Sequence, residues 1–316
     1  MKYIVSWVAF LFLFLVVLPL TLSTVFKRET DNERRPYSNE KVTVFFHDTN
    51  TKKVMSMDEY LIGVVMAEMP ASFEKEALKA QAVAARTYTV NKIVENTASK
   101  THNGADICTD SSHCQAYISE KDAKKNWGKN ASEYFKKCKN SVLDTSDEIM
   151  LYEDEPVKAV FHSSSSGRTE NAKDIWGGDV PYLVSVESPG ETLSPSHKSE
   201  VVKSIDEFKK IILENHKVDF SKNLVGDITR TDAGAVKSIE IGNKTFKGTQ
   251  IRSMFGLRSA CFDITRDGDC ITFEVTGNGH GVGMSQYGAN YLASIGYDYK
   301  DILKRYYTGV SFGTIK

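Results

Sequence analysis

A glutamate within an apolar pattern is the first residue of this chain whose setting could support chemistry. In the segment SMDEYLIGVVMAEMP, Leu61, Val64, Val65 and Glu68 occur at relative positions 0, 3, 4 and 7. On a helix these four residues share one face, and three of them are typical of a protein core. A carboxyl group in such a setting has a raised pKa, as a general acid working near neutral pH requires. The alternative is a helix-terminal glutamate that points into water.

Local signals define the helix that would carry this glutamate. Ser56 followed by Glu59 forms a capping box, which starts a helix. Pro70 predicts the end of that helix directly after Glu68. The carboxyl group is therefore expected at a helix end.

A second helix, rich in alanine, is predicted from about Phe73 to Glu95. Lys79 and Arg86 are seven residues apart and would lie on one face of it, about 10 Å from each other. Two such cations could bind an anionic group, although charges on a helix are usually just solvated.

His102, Cys108 and Cys114 form a second group of chemically capable residues, with His113 beside the last cysteine. Thiolate and imidazole are ligands that zinc prefers, and closed four-coordinate zinc sites are usually structural. The spacing is not that of common zinc ribbons, and a disulfide between Cys108 and Cys114 explains the same pattern. The residues alone leave both interpretations open.

Two polar segments are candidates for a binding pocket. FHSSSSGRTE, at 161 to 170, lacks the elbow motif of serine hydrolases, so a loop that hydrogen-bonds a ligand is the better interpretation. GNGHGVGMSQYGAN, at 277 to 290, lacks the GK[ST] of a phosphate-binding loop. Its glycines allow close backbone approach beside His280, Ser285, Gln286 and Tyr287, which fits a sugar-type pocket.

The composition limits the class of protein. The chain has 316 residues, enough for one large domain or two lobes around a cleft. With 40 basic and 41 acidic side chains, the net charge is -1 and no lysine-rich tract occurs. Nucleic acid is therefore not an expected partner.

The N-terminal region predicts a membrane anchor. Residues 3 to 26 form an apolar, uncharged segment that is long enough to cross a bilayer. A cleaved signal sequence is the alternative. Only two residues precede this segment, so the rest of the chain is expected on the far side of the membrane. Residues 27 to 42 are charged and predict a solvated tether, and one folded domain is expected over 43 to 316.

The rest of the chain predicts an α+β fold. Turn residues accumulate at 187 to 197, a helix is expected near Ile205 to Asn215, and strands from about Val236 to Val275. A hairpin with Asp267 and Gly268 in its turn would place Cys261 too far from Cys270 for a disulfide. We expect mixed helices and antiparallel strands that form two lobes around a substrate cleft.

Four motifs together resemble the SpoIID/LytB family. They are YLIGVVMAEMPASFEKEALKAQAVAARTY, HSSSSGRTE, the stretch from Trp176 to Leu183, and GHGVGMSQYGA, and they occur in that order. The resemblance covers about residues 43 to 316 and includes the preceding anchor. Its sporulation members are lytic transglycosylases that cleave the bond between N-acetylmuramic acid and N-acetylglucosamine in peptidoglycan glycan strands.

The resemblance implies roles for individual residues. The family's catalytic glutamate precedes Met-Pro, which matches Glu68. It would protonate the glycosidic oxygen and then accept the proton of the muramoyl C6 hydroxyl, which closes a 1,6-anhydro ring. Substrate-binding roles are implied for seven other residues: Lys79, Arg86, Gln115, Tyr117, Ser165, Ser166 and Gln286.

The resemblance also favours a bound metal, and it implies a cellular location and partners. Clostridial-type members carry zinc, and His102, Cys108 and Cys114 match that pattern, with zinc as a structural ion. The family implies a single-pass protein of the mother-cell membrane with an extracytoplasmic catalytic domain. Implied partners are peptide-free glycan strands, a sporulation amidase and a membrane scaffold protein of the engulfment machinery.

Two other functions remain open at this level. One is a wall-binding module without catalysis that enhances an amidase, as expected of the LytB-like branch. The other is a zinc hydrolase that uses the His/Cys site for catalysis, which needs an open coordination position.

Overall fold

A computed structural model describes residues 41–95 and 102–315 of the chain. The strands are β1 Val42–Phe46, β2 Thr51–Met55, β3 Ile107–Cys108, β4 Glu148–Tyr152, β5 Glu155–Pro156, β6 Phe161–His162, β7 Lys198–Ser204, β8 Ile228–Arg230, β9 Val236–Ile241, β10 Lys244–Phe246, β11 Phe262–Asp267, β12 Cys270–Thr276, β13 Met284–Ser285 and β14 Ser311–Thr314. The helices are α1 Met57–Glu68, α2 Lys75–Glu95, α3 Glu120–Trp127, α4 Ala131–Leu143, α5 Ala172–Trp176, α6 Ile205–Asn215, α7 Gly248–Phe255, α8 Gln286–Ser294 and α9 Tyr299–Tyr306. This mixture of helices and strands confirms the α+β part of the predicted fold.

The strands form several small sheets. Their orders are β2-β1-β3, β10-β9-β8, β11-β12-β7, β13-β6 and β14-β4-β5. Most pairs are antiparallel, as predicted; β1 with β3 and β6 with β13 are parallel. The parallel pair β6–β13 joins the two polar segments, because it places His162 opposite Ser285.

The first helix follows the sequence signals. Ser56 and Glu59 form the capping box, and α1 ends at Glu68 with Met69 already in an extended conformation. Pro70 follows, where the backbone can no longer continue the helix. The helix from Ile205 to Asn215 is also confirmed.

The predicted hairpin occurs with its turn one residue further along the chain, which shifts the strand register by two residues. Asp267 pairs with Cys270, so the turn consists of Gly268 and Asp269 rather than Asp267 and Gly268. Gly268 has a φ of 55° and takes the first central position, where a tight hairpin turn demands a positive φ. All five cysteines, including Cys261 and Cys270, are free thiols.

Two hydrophobic clusters lie in the described residues. The first includes Leu61, Val64 and Val65 of α1 and the alanine-rich face of α2. The second is built around Phe208, Phe255 and Phe273, whose rings contact one another. The apolar face of α1 therefore packs inward, which brings Glu68 to the edge of the first cluster.

The predicted membrane localisation needs correction. No helix among residues 41–95 and 102–315 is both long and apolar enough to cross a bilayer. The apolar segment 3 to 26, on which the prediction of a single-pass protein of the mother-cell membrane rested, lies outside the described residues. This finding contradicts the predicted localisation, and we withdraw it.

Candidate active site

The carboxyl group of Glu68 opens into a cavity of about 960 Å³. One of its oxygens accepts a hydrogen bond of 2.5 Å from the backbone N–H of Ala116. Burial disfavours the carboxylate and raises the pKa of Glu68 to about 7, although the Ala116 hydrogen bond acts in the opposite direction. Glu68 can therefore exist in both protonation states near neutral pH.

The cavity has the size of a large ligand site, since pockets for small molecules span about 300–1,000 Å³. Around Glu68 it is lined by the end of α1 and by the segment from Ser111 to Gln115. The other lining residues come from distant parts of the chain, among them Lys158, His162, Trp176, Arg252, His280 and Gln286. Glu68 is the only carboxylate among the described residues that line it.

Two histidines of this lining are held neutral. His162 donates from Nδ1 to the carbonyl of Val282, while Nδ1 of His280 accepts from the N–H of the same residue. Burial lowers the pKa of His162 to about 4 and that of His280 to about 3. Nε2 of His162 is then an unprotonated acceptor, and it is buried without a hydrogen-bond partner among the described residues.

His102, Cys108, His113 and Cys114 form a compact cluster, and two of them, His113 and Cys114, line the cavity together with Glu68. Their ligand atoms all lie within 4.8 Å of one another. Nε2 of His102 is 2.7 Å from Nδ1 of His113, and Sγ of Cys114 is 3.4 Å from each of these nitrogens. The structure thus adds His113 to the three predicted ligands.

This cluster has the donor set of a zinc site. Bond lengths of about 2.0 Å to nitrogen and 2.3 Å to sulfur place tetrahedral ligand atoms about 3.3–3.8 Å apart. The sulfur–nitrogen separations of 3.4 and 3.7 Å lie in that range. The two imidazole nitrogens, 2.7 Å apart, are closer together than two nitrogens bound to one zinc ion. The two thiols and two imidazoles therefore supply the four ligands of a closed zinc site, and the imidazoles would have to separate by about 0.6 Å to bind the ion.

The predicted substrate-binding residues are distributed over several places. Gln115 and Gln286 line the cavity. The amide of Gln115 is buried and bonds Tyr60 and Ala85, and that of Gln286 bonds Gln81.

Tyr117, Ser165 and Ser166 lie outside this cavity. The ring of Tyr117 packs on Gly63 of α1 so closely that a Cβ there would lie 2.1 Å from it. The hydroxyl of Ser165 donates to buried Glu191, and that of Ser166 donates to the carbonyl of Ala233. These contacts hold the three side chains in place within the protein, and their substrate-binding roles stay a prediction.

Lys79 and Arg86 also lie outside the cavity. Lys79 pairs with Glu76 at 2.8 Å on the helix surface. Arg86 is fully buried, and its guanidinium donates to the carbonyls of Val142, Thr145 and Glu148. This arginine fastens α2 to the end of α4 and the start of β4.

We expect Arg86→Met to lower the free energy of unfolding by about 2–3 kcal/mol, because three carbonyls lose a charged donor. Lys79→Met should cost less than about 1 kcal/mol, since its ion pair is near the surface. Urea unfolding of both variants measures this difference. A stable Arg86→Met protein that no longer binds glycan strands would instead support the substrate-binding role.

Sequence reasoning missed several cavity residues. His113 carried a signal, because it is a second imidazole in the cysteine loop. Trp176 begins one of the motifs that carry the resemblance, although no site role was predicted for it. Lys158 and Arg252 carried no signal, because they are far apart in the chain and meet only in the folded protein.

Comparisons with known proteins identify the family. The model of the SpoIID family, described as Stage II sporulation protein, matches residues 46–152. The chain is 42% identical over 287 residues to Stage II sporulation protein D of Bacillus amyloliquefaciens, which covers 90% of this chain and 82% of that protein.

Two proteins of Bacillus subtilis (strain 168) are also similar. Stage II sporulation protein D is 44% identical over 254 residues, or 80% of this chain and 73% of that protein. The Amidase enhancer is 28% identical over 307 residues, or 79% of this chain and 40% of that protein. Because identity above 40% extends over most of both Stage II proteins, the chain belongs to the SpoIID family of stage II sporulation proteins.

Proposed function

We propose that this protein is a lytic transglycosylase that cleaves peptidoglycan glycan strands between N-acetylmuramic acid and N-acetylglucosamine during engulfment. The observation that carries the proposal is Glu68, a carboxyl group with a pKa of about 7 on a large polar cavity. Hydrolysis by paired carboxylates needs a second one about 5–9 Å away. Glu68 has no such companion among the described residues that line the cavity.

One carboxyl group can perform both steps of the reaction. Protonated Glu68 donates its proton to the glycosidic oxygen as the bond from C1 to that oxygen breaks. The resulting carboxylate accepts the proton of the C6 hydroxyl while O6 bonds to C1. The products are a strand ending in 1,6-anhydromuramic acid and a free hydroxyl on N-acetylglucosamine, and Glu68 is protonated again.

The second observation that supports this mechanism is the position of Ala116. Its N–H holds one oxygen of Glu68 and is positioned two residues after Cys114. His102, Cys108, His113 and Cys114 would hold a zinc ion, which supplies a structural cross-link when bound. The cluster would fix the loop that aims this N–H at the carboxyl group.

The pKa of Glu68 predicts the pH dependence of cleavage. The proton donor is present below a pKa of about 7 and is lost as the pH rises above it. We expect kcat/KM on peptide-free strands to be level below about pH 6 and to fall tenfold per unit above about pH 8. Rates measured from pH 5 to 9 test this; a fall centred near pH 4.5 would mean an ordinary, solvated carboxyl group.

The alternative is a wall-binding enhancer of an amidase without catalysis. The similarity to the Amidase enhancer favours it in part. Mass spectrometry of strands incubated with the purified protein distinguishes the two. Products ending in 1,6-anhydromuramic acid would support the transglycosylase, whereas binding without products would support the enhancer.

Three predictions from the sequence remain part of this proposal. The cavity would be the substrate cleft between two lobes. Two observations support this: there are two hydrophobic clusters, and the residues that line the cavity come from elements of both clusters. Residues 43 to 316 would act as one catalytic domain. A sporulation amidase that removes stem peptides and a scaffold protein of the engulfment machinery would be its partners.

A further inference from the structure

The short segment that follows the His/Cys cluster, residues 115 to 118, lies along α1. The N–H of Ala116 donates to Glu68, and the N–H of Ile118 donates to the carbonyl of Gly63 at 3.2 Å. The ring of Tyr117 packs against the same glycine. This segment therefore contacts the part of the helix that carries the Glu68 carboxyl group.

The side chain of Gln115 fastens this segment to two helices. Its Oε1 accepts one hydrogen bond from the hydroxyl of Tyr60 in α1 at 3.2 Å and another from that of Thr89 in α2 at 3.4 Å. Its Nε2 donates to the carbonyl of Ala85 in α2 at 3.3 Å. Gln115 is only 1% exposed, and both acceptor positions of its Oε1 are occupied by protein donors.

These three hydrogen bonds fix the peptide group whose N–H holds Glu68. The nitrogen of Ala116 belongs to the planar peptide unit that follows Gln115, so its N–H can move only together with the Gln115 backbone. Movement of Gln115 is costly, because each lost hydrogen bond leaves a buried polar group unpaired.

The two hydroxyl groups that bond Gln115 lie outside the cavity. Tyr60 and Thr89 are fully buried, and neither is among the described residues that line it. A ligand in the cavity cannot reach them. Any effect of these two residues on Glu68 must therefore pass through Gln115 or through the packing of the helices.

From these contacts we propose that Gln115, Tyr60 and Thr89 are positioning residues that aim the Ala116 N–H at the Glu68 carboxyl group. Gln115 then acts through its backbone and not through the substrate contact that the sequence predicted. The aimed N–H stabilises the carboxylate that forms when Glu68 gives its proton to the glycosidic oxygen. This inference rests on the proposed function for the reaction itself.

Loss of this positioning changes the acidity of Glu68 in a defined direction. The Ala116 hydrogen bond favours the carboxylate, whereas burial raises the pKa of Glu68 to about 7. Without the hydrogen bond the pKa should rise further, by about half a pH unit to one pH unit. The proton donor then persists to higher pH but is a weaker acid. The fall in kcat/KM should therefore move to higher pH, while kcat below that fall should decrease about three- to tenfold.

The test uses three variants of the full chain. Gln115→Met removes the amide with little change in volume. The double variant Tyr60→Phe with Thr89→Val keeps Gln115 and removes both donors to its Oε1. The matched control is Tyr306→Phe, because Tyr306 is also fully buried but its hydroxyl bonds Ser188.

The pKa of Glu68 is measured directly by NMR titration of isotope-labelled glutamate carboxyl groups, with the Glu68 signal assigned from the spectrum of Glu68→Gln. Gln115→Met and the double variant should each raise this pKa, and Tyr306→Phe should leave it unchanged. The variants leave in place the other charged and titratable groups that line the cavity: Tyr88, Lys92, His113, Cys114, Lys158, His162, Arg252 and His280.

Folding and metal content are controlled in the same samples. Thermal unfolding and zinc analysis of each variant ensure that a change in pKa is assigned only to a folded chain with an intact His/Cys cluster. Where Gln115→Met or the double variant does not fold, Tyr60→Phe alone removes one donor and should raise the pKa by a smaller amount.

Kinetics distinguish positioning from substrate binding. A positioning role leaves KM within about twofold of the parent value, because the three side chains do not contact the strand. An unchanged Glu68 pKa in folded Gln115→Met or in the folded double variant would overturn the proposal. A rise in KM with an unmoved pH dependence in Gln115→Met would also overturn it, since that result indicates a substrate contact.

The outcome is separable from that of the proposed function, because the NMR titration needs no turnover. If the parent chain releases 1,6-anhydro products but the variants leave the pKa of Glu68 unchanged, the positioning role fails and the transglycosylase stands. If the parent chain releases no products but the pKa rises in the variants, the positioning of Glu68 stands and the catalytic proposal fails.

Discussion

Replacing Glu68 with glutamine is expected to lower the rate of glycan-strand cleavage by about a thousandfold or more. Glutamine has nearly the same shape and can still accept the Ala116 N–H, but it can neither donate a proton to the glycosidic oxygen nor accept one from the C6 hydroxyl. Product formation by the two proteins is measured by mass spectrometry, and strand binding by co-sedimentation. Binding should stay within about threefold of the parent, because the exchange removes no apolar contact.

The matched control is Glu120→Gln, at an exposed position in the first turn of α3. It should cleave at the parent rate. Undiminished cleavage by Glu68→Gln would show that another group is the acid. Products with reducing ends from the parent protein would mean hydrolysis by water and would require a second carboxylate.

Removing the metal is expected to have the largest effect on stability. We expect one zinc per purified chain and a fall of about 10 °C or more in the midpoint of thermal unfolding after chelation, because the ion joins four residues of one loop. Cys114→Ser and His113→Ala should give the same loss. Metal analysis and thermal unfolding together measure both quantities.

The control for these variants is Cys270→Ser, because Cys270 is an exposed free thiol outside the cluster. It should keep both the zinc and the midpoint. Titration of thiols in unfolded, unreduced protein distinguishes zinc from a disulfide. Five thiols exclude a bridge between Cys108 and Cys114. Three thiols in the parent protein would show that two cysteines are bridged, and a count of two in Cys114→Ser would place that bridge elsewhere. Loss of cleavage at a temperature where the metal-free protein stays folded and Glu68 stays buried would favour a catalytic zinc.

Sequence signals within a few residues of each other determined the local structure correctly. The capping box at Ser56, the apolar spacing up to Glu68 and the stop at Pro70 gave the helix with its correct end. Such signals are reliable because each depends on contacts within one or two helical turns. The tight turn near Gly268 was off by one residue, because Asp267 and Gly268 as well as Gly268 and Asp269 can form it.

The sequence could not decide which polar side chains meet. The sequence predicts that Arg86 is a solvated or a substrate-binding cation. In the structure it is buried and donates hydrogen bonds to backbone carbonyls at the end of another helix and the start of a strand. A charge pattern on one helix does not reveal what packs against that helix. Ser165 and Ser166 likewise bond to Glu191 and Ala233, which are remote in the chain.

The sequence by itself determined the position of Glu68 on its helix, three of the four metal-cluster residues and the family resemblance, since these depend on residue types at short, fixed spacings. Only the tertiary structure decided that His113 completes the cluster, that Ala116 holds the carboxyl group, and that Lys158, Trp176 and Arg252 line one cavity with it. The physical reason is that long-range packing sets these contacts. Packing depends on how whole helices and strands bury their apolar faces, and a short sequence pattern does not predict which elements come into contact.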